Sequence, residues 1–290
     1  MKIITEIKNI SNLDQNQADG LIFNRQYLSD THTDFLTNEE VIKLVEYGKI
    51  NSKMIIANVN RIFTEQEIQK AFEEIDELLN LGVEYFVFSD VGIYQYFYEK
   101  NLHHNLIYNA RTMITNYGDA QIWKENGVYA YFISNEIPLE DIIEISKVGN
   151  GALNVYGYHQ IFYSKRNLVS LYYAHRQMEN RFQNHELMLV EENRPNKYPI
   201  TETPYGTYIY SPYKYAIYTE LEKLRSLKLI LISGRFINEE NLQKVITLYK
   251  LGIENGFTNE NMDKLRKIDD NIHSGFLYQK TVLRKGERND

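Results

Sequence analysis

The feature that most constrains this chain is a unit written three times: an amphipathic helix, a glycine past its end, and a short apolar run closed by serine and a small or polar residue. The clearest copy is TEQEIQKAFEEIDELLNLGVEYFVFSD. Thr64 and Glu67 have capping-box spacing, Ile68, Phe72, Ile75 and Leu79 recur at helical spacing, and Gly82 suits a left-handed C-cap. A buried strand over residues 83–88 then ends on Ser89-Asp90. The second copy, YGDAQIWKENGVYAYFISNE, sets Gly127 before a strand at 128–133 and ends on Ser134-Asn135. The third, YTELEKLRSLKLILISGR, drops the glycine, keeps the order and ends on Ser233-Gly234.

Continuous apolar strands alternating with helices call for a parallel sheet covered on both faces. Further units fit: a strand at 20–23; TNEEVIKLVEYGK, with box Thr37/Glu40 and Gly48, leading to 54–57; a strand at 105–108; and Pro138 opening a helix with Leu139, Ile142 and Ile143 before 152–156. With 3–5 and 229–232 the count reaches about eight, which predicts a TIM-like (β/α)8 barrel, a single α/β domain over residues 1–290, in preference to an open doubly wound sheet. The pattern breaks near the C-terminal third. Pro195, Pro199, Pro204 and Pro212 interleave there with LMLVEE, KYPIT and GTYIYS. Proline removes ladder donors, so a small β-hairpin insertion on the barrel rim is expected at about 180–212. The charged tail LRKGERND predicts a frayed end.

In such a barrel the chemistry projects from the carboxyl ends of the strands. Those positions hold Asn24, Arg25, Asn58, Asn60, Arg61, Asp90, Asn109, Arg111, Asn135, Glu136, Tyr156, His159 and Arg235. Asp90, Glu136 and His159 are the catalytic candidates, and Asn58, Asn60, Arg111, Asn135 and Arg235 the binding candidates, joined by Lys165 and Arg166 further on. Arginines mixed with carboxylates and amides suit an anionic or strongly hydrogen-bonding ligand. The alternative is that Asp90 and Glu136 cap the helices that follow and that the arginines pair with them.

Zero cysteines excludes disulfides, thiol nucleophiles, zinc–thiolate sites and protein-ligated iron–sulfur clusters. No H-E-x-x-H or G-x-S-x-G occurs and His103 and His104 read as solvated loop residues, so neither a metal site nor a serine nucleophile is expected. A net charge of −7 argues against indiscriminate nucleic-acid binding but leaves room for a local basic patch. The best such patch is YSKRNL with Arg176 and Arg181, interleaved with Phe162, Tyr163, Tyr172 and Tyr173. It reads either as a phosphate- and base-binding surface or as an ordinary amphipathic helix with its aromatics in the core. The N-terminus lacks a signal-peptide core and no apolar run is long enough to span a bilayer, so a soluble cytoplasmic protein with no membrane partner is expected.

Three segments carry a resemblance: IIANVNRIFTEQEIQKAFEEIDELLNLGVEYFVFSDVGIYQ, NARTMITNYGDAQIWKENGVYAYFISNEIPLEDIIEI and VYGYHQIFYSKRNLVS. In that order they resemble the peptidase U32 family, named for collagenase-like proteases. ENRPNKYPI, YIYSPYKYAIYTELEKL and SGFLYQKTV resemble its tRNA-hydroxylation branch, and within it the shorter, cysteine-free member of two paralogues found side by side in Gram-positive bacteria. The family's two signature cysteines fall on Gln160 and Asn167, while its central glycine and last serine are kept as Gly157 and Ser170. Tyr156 stands where a histidine is usual, and Lys165 where a glycine is. The resemblance implies a cluster-free subunit, with no cofactor of its own, that works with a cysteine-containing U32 paralogue in prephenate-dependent 5-hydroxylation of wobble uridine in tRNA. Prephenate would be a co-substrate of the complex, and Lys165, Arg166 and the rim arginines would position the tRNA. It also leaves open a U32-type peptidase, a hydrolase acting on peptides, and a pseudo-enzyme scaffold without a ligand.

Overall fold

The computed structural model describes residues 1–31, 33–179, 187–193 and 195–279. In chain order its elements are β1 (Lys2–Glu6), β2 (Gly20–Asn24), α1 (Asn38–Asn51), β3 (Met54–Val59), α2 (Glu65–Asn80), β4 (Tyr85–Phe88), α3 (Val91–Glu99), β5 (Leu106–Tyr108), α4 (Tyr117–Glu125) and β6 (Ala130–Phe132). There follow α5 (Leu139–Ser146), β7 (Gly151–Ser164), α6 (Leu168–His175), β8 (Leu187–Val190), β9 (Lys197–Thr203), β10 (Gly206–Ala216), β11 (Leu229–Ile232), α7 (Glu239–Asn255), α8 (Asn259–Ile268) and β12 (Ile272–His273).

All eight expected strands form and close into a parallel barrel in the order β11-β1-β2-β3-β4-β5-β6-β7, with β7 returning to β11. Because successive side chains in a strand point to opposite faces, one alternate set fills the barrel interior: Ile4, Ile22, Ile56, Val87, Ile107, Phe132 and Leu231. The other set, including Ile3, Leu21, Phe23, Phe86, Phe88 and Ile230, packs outward against the helices. Burial on both faces is why these strands read as unbroken apolar runs. Caps follow the sequence closely. Glu40 and Glu67 accept the backbone N–H groups of Thr37 and Thr64, each at 2.8 Å, and Gly82 and Gly127 close α2 and α4 at φ +89° and +74°.

Three local expectations need correction. Gly48 does not end α1: the helix runs to Asn51, with Ser52 at φ 54° as its left-handed cap, and Gly48 is small so that Ile55 can pack within 2.5 Å of where a Cβ would stand. The third unit holds a 3₁₀ turn over Thr219–Leu224, whose Leu221 and Leu224 are spaced for the i, i+3 face of that tighter helix. His103 is not a solvated loop residue; its ring packs, tilted, on Tyr98 with centroids 4.9 Å apart.

Of the β-rich segment expected at 180–212, the described residues, 187–193 and 195–212, belong to a larger layer, and 180–186 and 194 lie outside the described residues. β7 is a 14-residue strand whose first half belongs to the barrel and whose second half leaves it to pair antiparallel with β10, followed by β9 and β8. The departure is at Gly157, at φ +115°, where a Cβ would lie 2.8 Å from both the Cβ and the carbonyl oxygen of Ser233. Only glycine adopts that backbone at that distance from β11 without strain. The far side of the layer is tied to the barrel by Arg61, whose guanidinium is buried against three rings, 3.4 Å from the centroid of Tyr205 in the β9–β10 turn, 4.6 Å from Tyr27 and 4.8 Å from Phe63. Arg61 also donates to the Tyr27 carbonyl at 2.7 Å and pairs with Glu67.

Helix α6 buries none of its residues, and Tyr172 and Phe162 are exposed. The alternative of an ordinary amphipathic helix with core aromatics is therefore overturned. Arg181 and the charged tail lie outside the described residues.

Candidate functional site

One local device builds the barrel mouth. At five strand ends a side-chain oxygen accepts the N–H two residues on: Asn58 from Asn60 (3.1 Å), Asp90 from Gly92 (2.9 Å), Asn109 from Arg111 (3.2 Å), Ser134 from Glu136 (3.2 Å) and Ser233 from Arg235 (3.5 Å). Such turns satisfy the backbone as it leaves the sheet. They also aim the second residue inward, and Asn60, Arg111, Glu136 and Arg235 all line a cleft of about 120 Å³ floored by Ile22, Val87, Phe132 and Leu231. Arg111 accepts a left-handed φ of 64° to do so.

The centre of the cleft is a residue that strand-end reasoning misses. Asp30, 2% exposed, pairs with Arg111 and with Arg235 (3.3 Å) and accepts from Asn58 Nδ2 at 3.0 Å. Burial alone would raise its carboxyl, but Arg235, Arg111 and the Asn58 hydrogen bond outweigh that and hold it at about 2. Its loop is fixed by Ser29, whose hydroxyl donates to the Asn58 carbonyl at 2.7 Å. Asp30 lies six residues beyond the end of β2, too far for its position in sequence to mark it. The Ser29-Asp30 pair, echoing Ser89-Asp90, is the signal that was available. Arg235 also donates to the Tyr210 hydroxyl. Burial works against its charge, but Tyr210, Asp30 and Glu6 keep it protonated. Glu6 in turn accepts from Gly234 N–H at 2.8 Å.

Of the sequence candidates, Asn58, Asn60, Arg111, Asn135, Glu136, His159 and Arg235 meet at this cleft. Asp90 does not, because its two oxygens receive Gly92 and Phe63 N–H groups as the N-cap of α3. Lys165 stands just past the outer end of β7 with its ammonium on Glu67 (2.5 Å) and the Ile62 carbonyl (3.2 Å). Burial would raise Glu67, but Lys165, Thr64 and Arg61 hold it at about 2. Arg166 is exposed, and its guanidinium has no partner among the described residues. Glu6, Asn154, Gln160 and Tyr210, none of them a sequence candidate, also line the cleft. The mouth is thus mixed in charge, with Arg111 and Arg235 against Asp30, Glu6 and Glu136, and Arg111, 28% exposed, is the guanidinium more open to a ligand.

Four buried polar atoms facing this cleft have no partner: Asn60 Oδ1, Asn154 Oδ1, His159 Nε2 and Gln160 Oε1. Buried polar groups are ordinarily paired, so a cluster of unpaired ones marks a place where a ligand completes the hydrogen bonding. Burial, with Arg111 nearby, depresses the His159 imidazole to about 3, so it is neutral, and it packs at a tilt on Tyr215 with centroids 4.4 Å apart. A base depressed in the fold binds its proton more readily when unfolded, so His159 should subtract stability as pH falls from about 6.5 toward about 3. Urea titrations of His159→Gln across that window should show a shallower acid decline than the parent; an identical slope would contradict the assignment.

Gln160 and Asn167, where the resemblance implies cysteines, have different surroundings. Gln160 faces the cleft, and Asn167 donates to the Thr203 carbonyl at 3.1 Å. The N-terminus of α6 is occupied by the Glu202 carboxylate, which accepts from Val169 N–H at 2.8 Å and from Ser170. Among the described residues there is no cluster of three or more metal-ligating side chains, and no helix is long and apolar enough to cross a membrane.

A parallel eight-stranded barrel with a polar, arginine-bearing mouth at its carboxyl end defines the class as TIM-like. The profile of peptidase family U32 matches residues 9–285, and the chain belongs to that family. Among curated proteins it is similar to tRNA hydroxylation protein P2 of Bacillus subtilis (strain 168), 26% identical over 266 residues, covering 85% of this chain and 86% of the relative. Among solved structures it is similar to the U32 peptidase Mk0906, with a TM-score of 0.47 and 12% identity over 80% of this chain and 92% of that one. A chitinase from Rhizomucor miehei gives a TM-score of 0.44 and 14% identity over 85% and 98% of the two chains.

Proposed function

We propose that the chain is a cluster-free subunit for 5-hydroxylation of wobble uridine in tRNA. It would work with a cysteine-containing U32 paralogue that carries the redox centre, and with prephenate as a co-substrate of the complex. The observation that carries the reading is the mouth itself. Arg111 is held by Asp30 yet partly open, beside four unpartnered polar atoms, and this suits a ligand that brings a carboxylate together with hydrogen-bonding groups. The similarity to a protein named for tRNA hydroxylation points to the reaction. Arg166, solvent-facing and free of a carboxylate partner among the described residues, is the better candidate for a phosphate contact, whereas Lys165 is engaged by Glu67.

Deleting the gene and measuring 5-hydroxyuridine derivatives in bulk tRNA by mass spectrometry tests this reading. Their loss, restored by the intact gene, is expected. An unchanged profile, or reproducible gelatin cleavage by the pure chain, would overturn it. Arg166→Ala should weaken tRNA binding by the complex and lower its salt dependence by about one phosphate contact, against little effect of Lys165→Ala; filter binding at several salt concentrations reads both.

A further inference from the structure

Beside the mouth lies a second depression of about 410 Å³ that shares Asn60, Arg111 and Gln160 with it. It has two marks of recognition. Four large apolar side chains stand exposed around it: Ile62 (39%), Met113 (62%), Ile161 (49%) and Phe162 (42%). Three buried polar atoms on its lining have no partner: Asn60 Oδ1, Gln160 Oε1 and the Tyr163 hydroxyl. The backbone explains how consecutive residues of one strand reach one pocket. Phe162 pairs with Ile209 and Gln160 with Tyr210, which leaves Ile161 as an extra residue in a bulge, and a bulge re-aims side chains that would otherwise alternate between faces.

We propose that this side pocket receives a single unstacked nucleobase, its face against Phe162 and its edge toward Asn60 and Gln160. The inference rests on the tRNA reading above and deepens it by separating two subsites, with the base beside the mouth, an anionic ligand within it, and Arg111 between them. The chemistry selects a base over other flat ligands. A face of apolar and aromatic side chains is sequence-tolerant and stacks any ring. Side-chain amides offer a donor and an acceptor side by side, matching the edge of a base, and leave nothing satisfied by a phenyl ring, which has neither. Ring and amide come from the same short bulged segment, so they are positioned together.

Saturation-transfer NMR on the full chain tests this, with uridine 5′-monophosphate as probe and N-acetylphenylalaninamide as competitor. The expected result is saturable binding with strong transfer to the uracil protons, weakened about tenfold or more in both Phe162→Ala and Gln160→Ala. Ile50→Ala, on the exposed end of α1, should leave it unchanged. Thermal melts confirm that the variants are folded. No saturable binding of the nucleotide, equal binding by folded Phe162→Ala and Gln160→Ala, or preferential binding of N-acetylphenylalaninamide would overturn the proposal. Nucleotide binding together with unchanged tRNA in the deletion strain would support the pocket while removing the functional reading.

Discussion

Asp30→Ala should destabilise the fold by about 3 kcal/mol in urea unfolding, because it leaves Arg111 and Arg235 facing each other around a vacated carboxylate site. Asp30 is buried, so solvent offers little compensation. Its charge gives the same interaction a pH signature. With the folded carboxyl at about 2 and the free value at 3.8, the ionised form stabilises the fold by about 2 kcal/mol at neutral pH. That contribution is fully present above the unfolded value and is lost as pH falls through the folded one. Asp30→Asn should therefore remove the steepest part of the acid transition below about pH 4. A variant as stable as the parent at neutral pH, with the same acid limb, would mean that the triad does not hold the mouth together.

Gly157→Ala is the second large effect, at about 3 kcal/mol, because it combines a strained backbone with a collision against Ser233, just past β11. Gly256→Ala provides the comparison, since Gly256 has φ +99° but nothing within 4 Å of where a Cβ would stand. It should show the backbone strain alone, about 1 kcal/mol. Equal losses at the two sites would show that the close approach of β7 to Ser233 contributes nothing.

What the sequence revealed follows from physics. The barrel strands are buried on both faces, so each reads as an apolar run that needs no partner to be recognised; Leu229–Ile232 and Met54–Val59 are examples. The outer half of β7 is buried on neither face so completely. Its HQIFYS mixes polar and aromatic residues, and its pairing with β10, some fifty residues on, is non-local. The strand therefore looked shorter than it is, and the hairpin layer seemed to start later. Within the site, residues at a strand end or two positions on were legible because the turn that aims Arg111, Glu136 and Arg235 has a local sequence form. Asp30 depends on a loop folding back over Asn58, a non-local contact whose one local trace is the Ser29-Asp30 pair. Asp90 has the same local form as the others, but it is followed two residues on by glycine, so its turn delivers no side chain to the mouth.

Arg111 presents a held but accessible guanidinium at the barrel mouth. The direct measurement is the 5-hydroxyuridine content of tRNA from a strain lacking this gene, complemented with the intact gene or with Arg111→Met expressed to the same soluble level. The intact gene should restore the modification and Arg111→Met should leave it near the level of the deletion. Full restoration by Arg111→Met would contradict a role for this guanidinium.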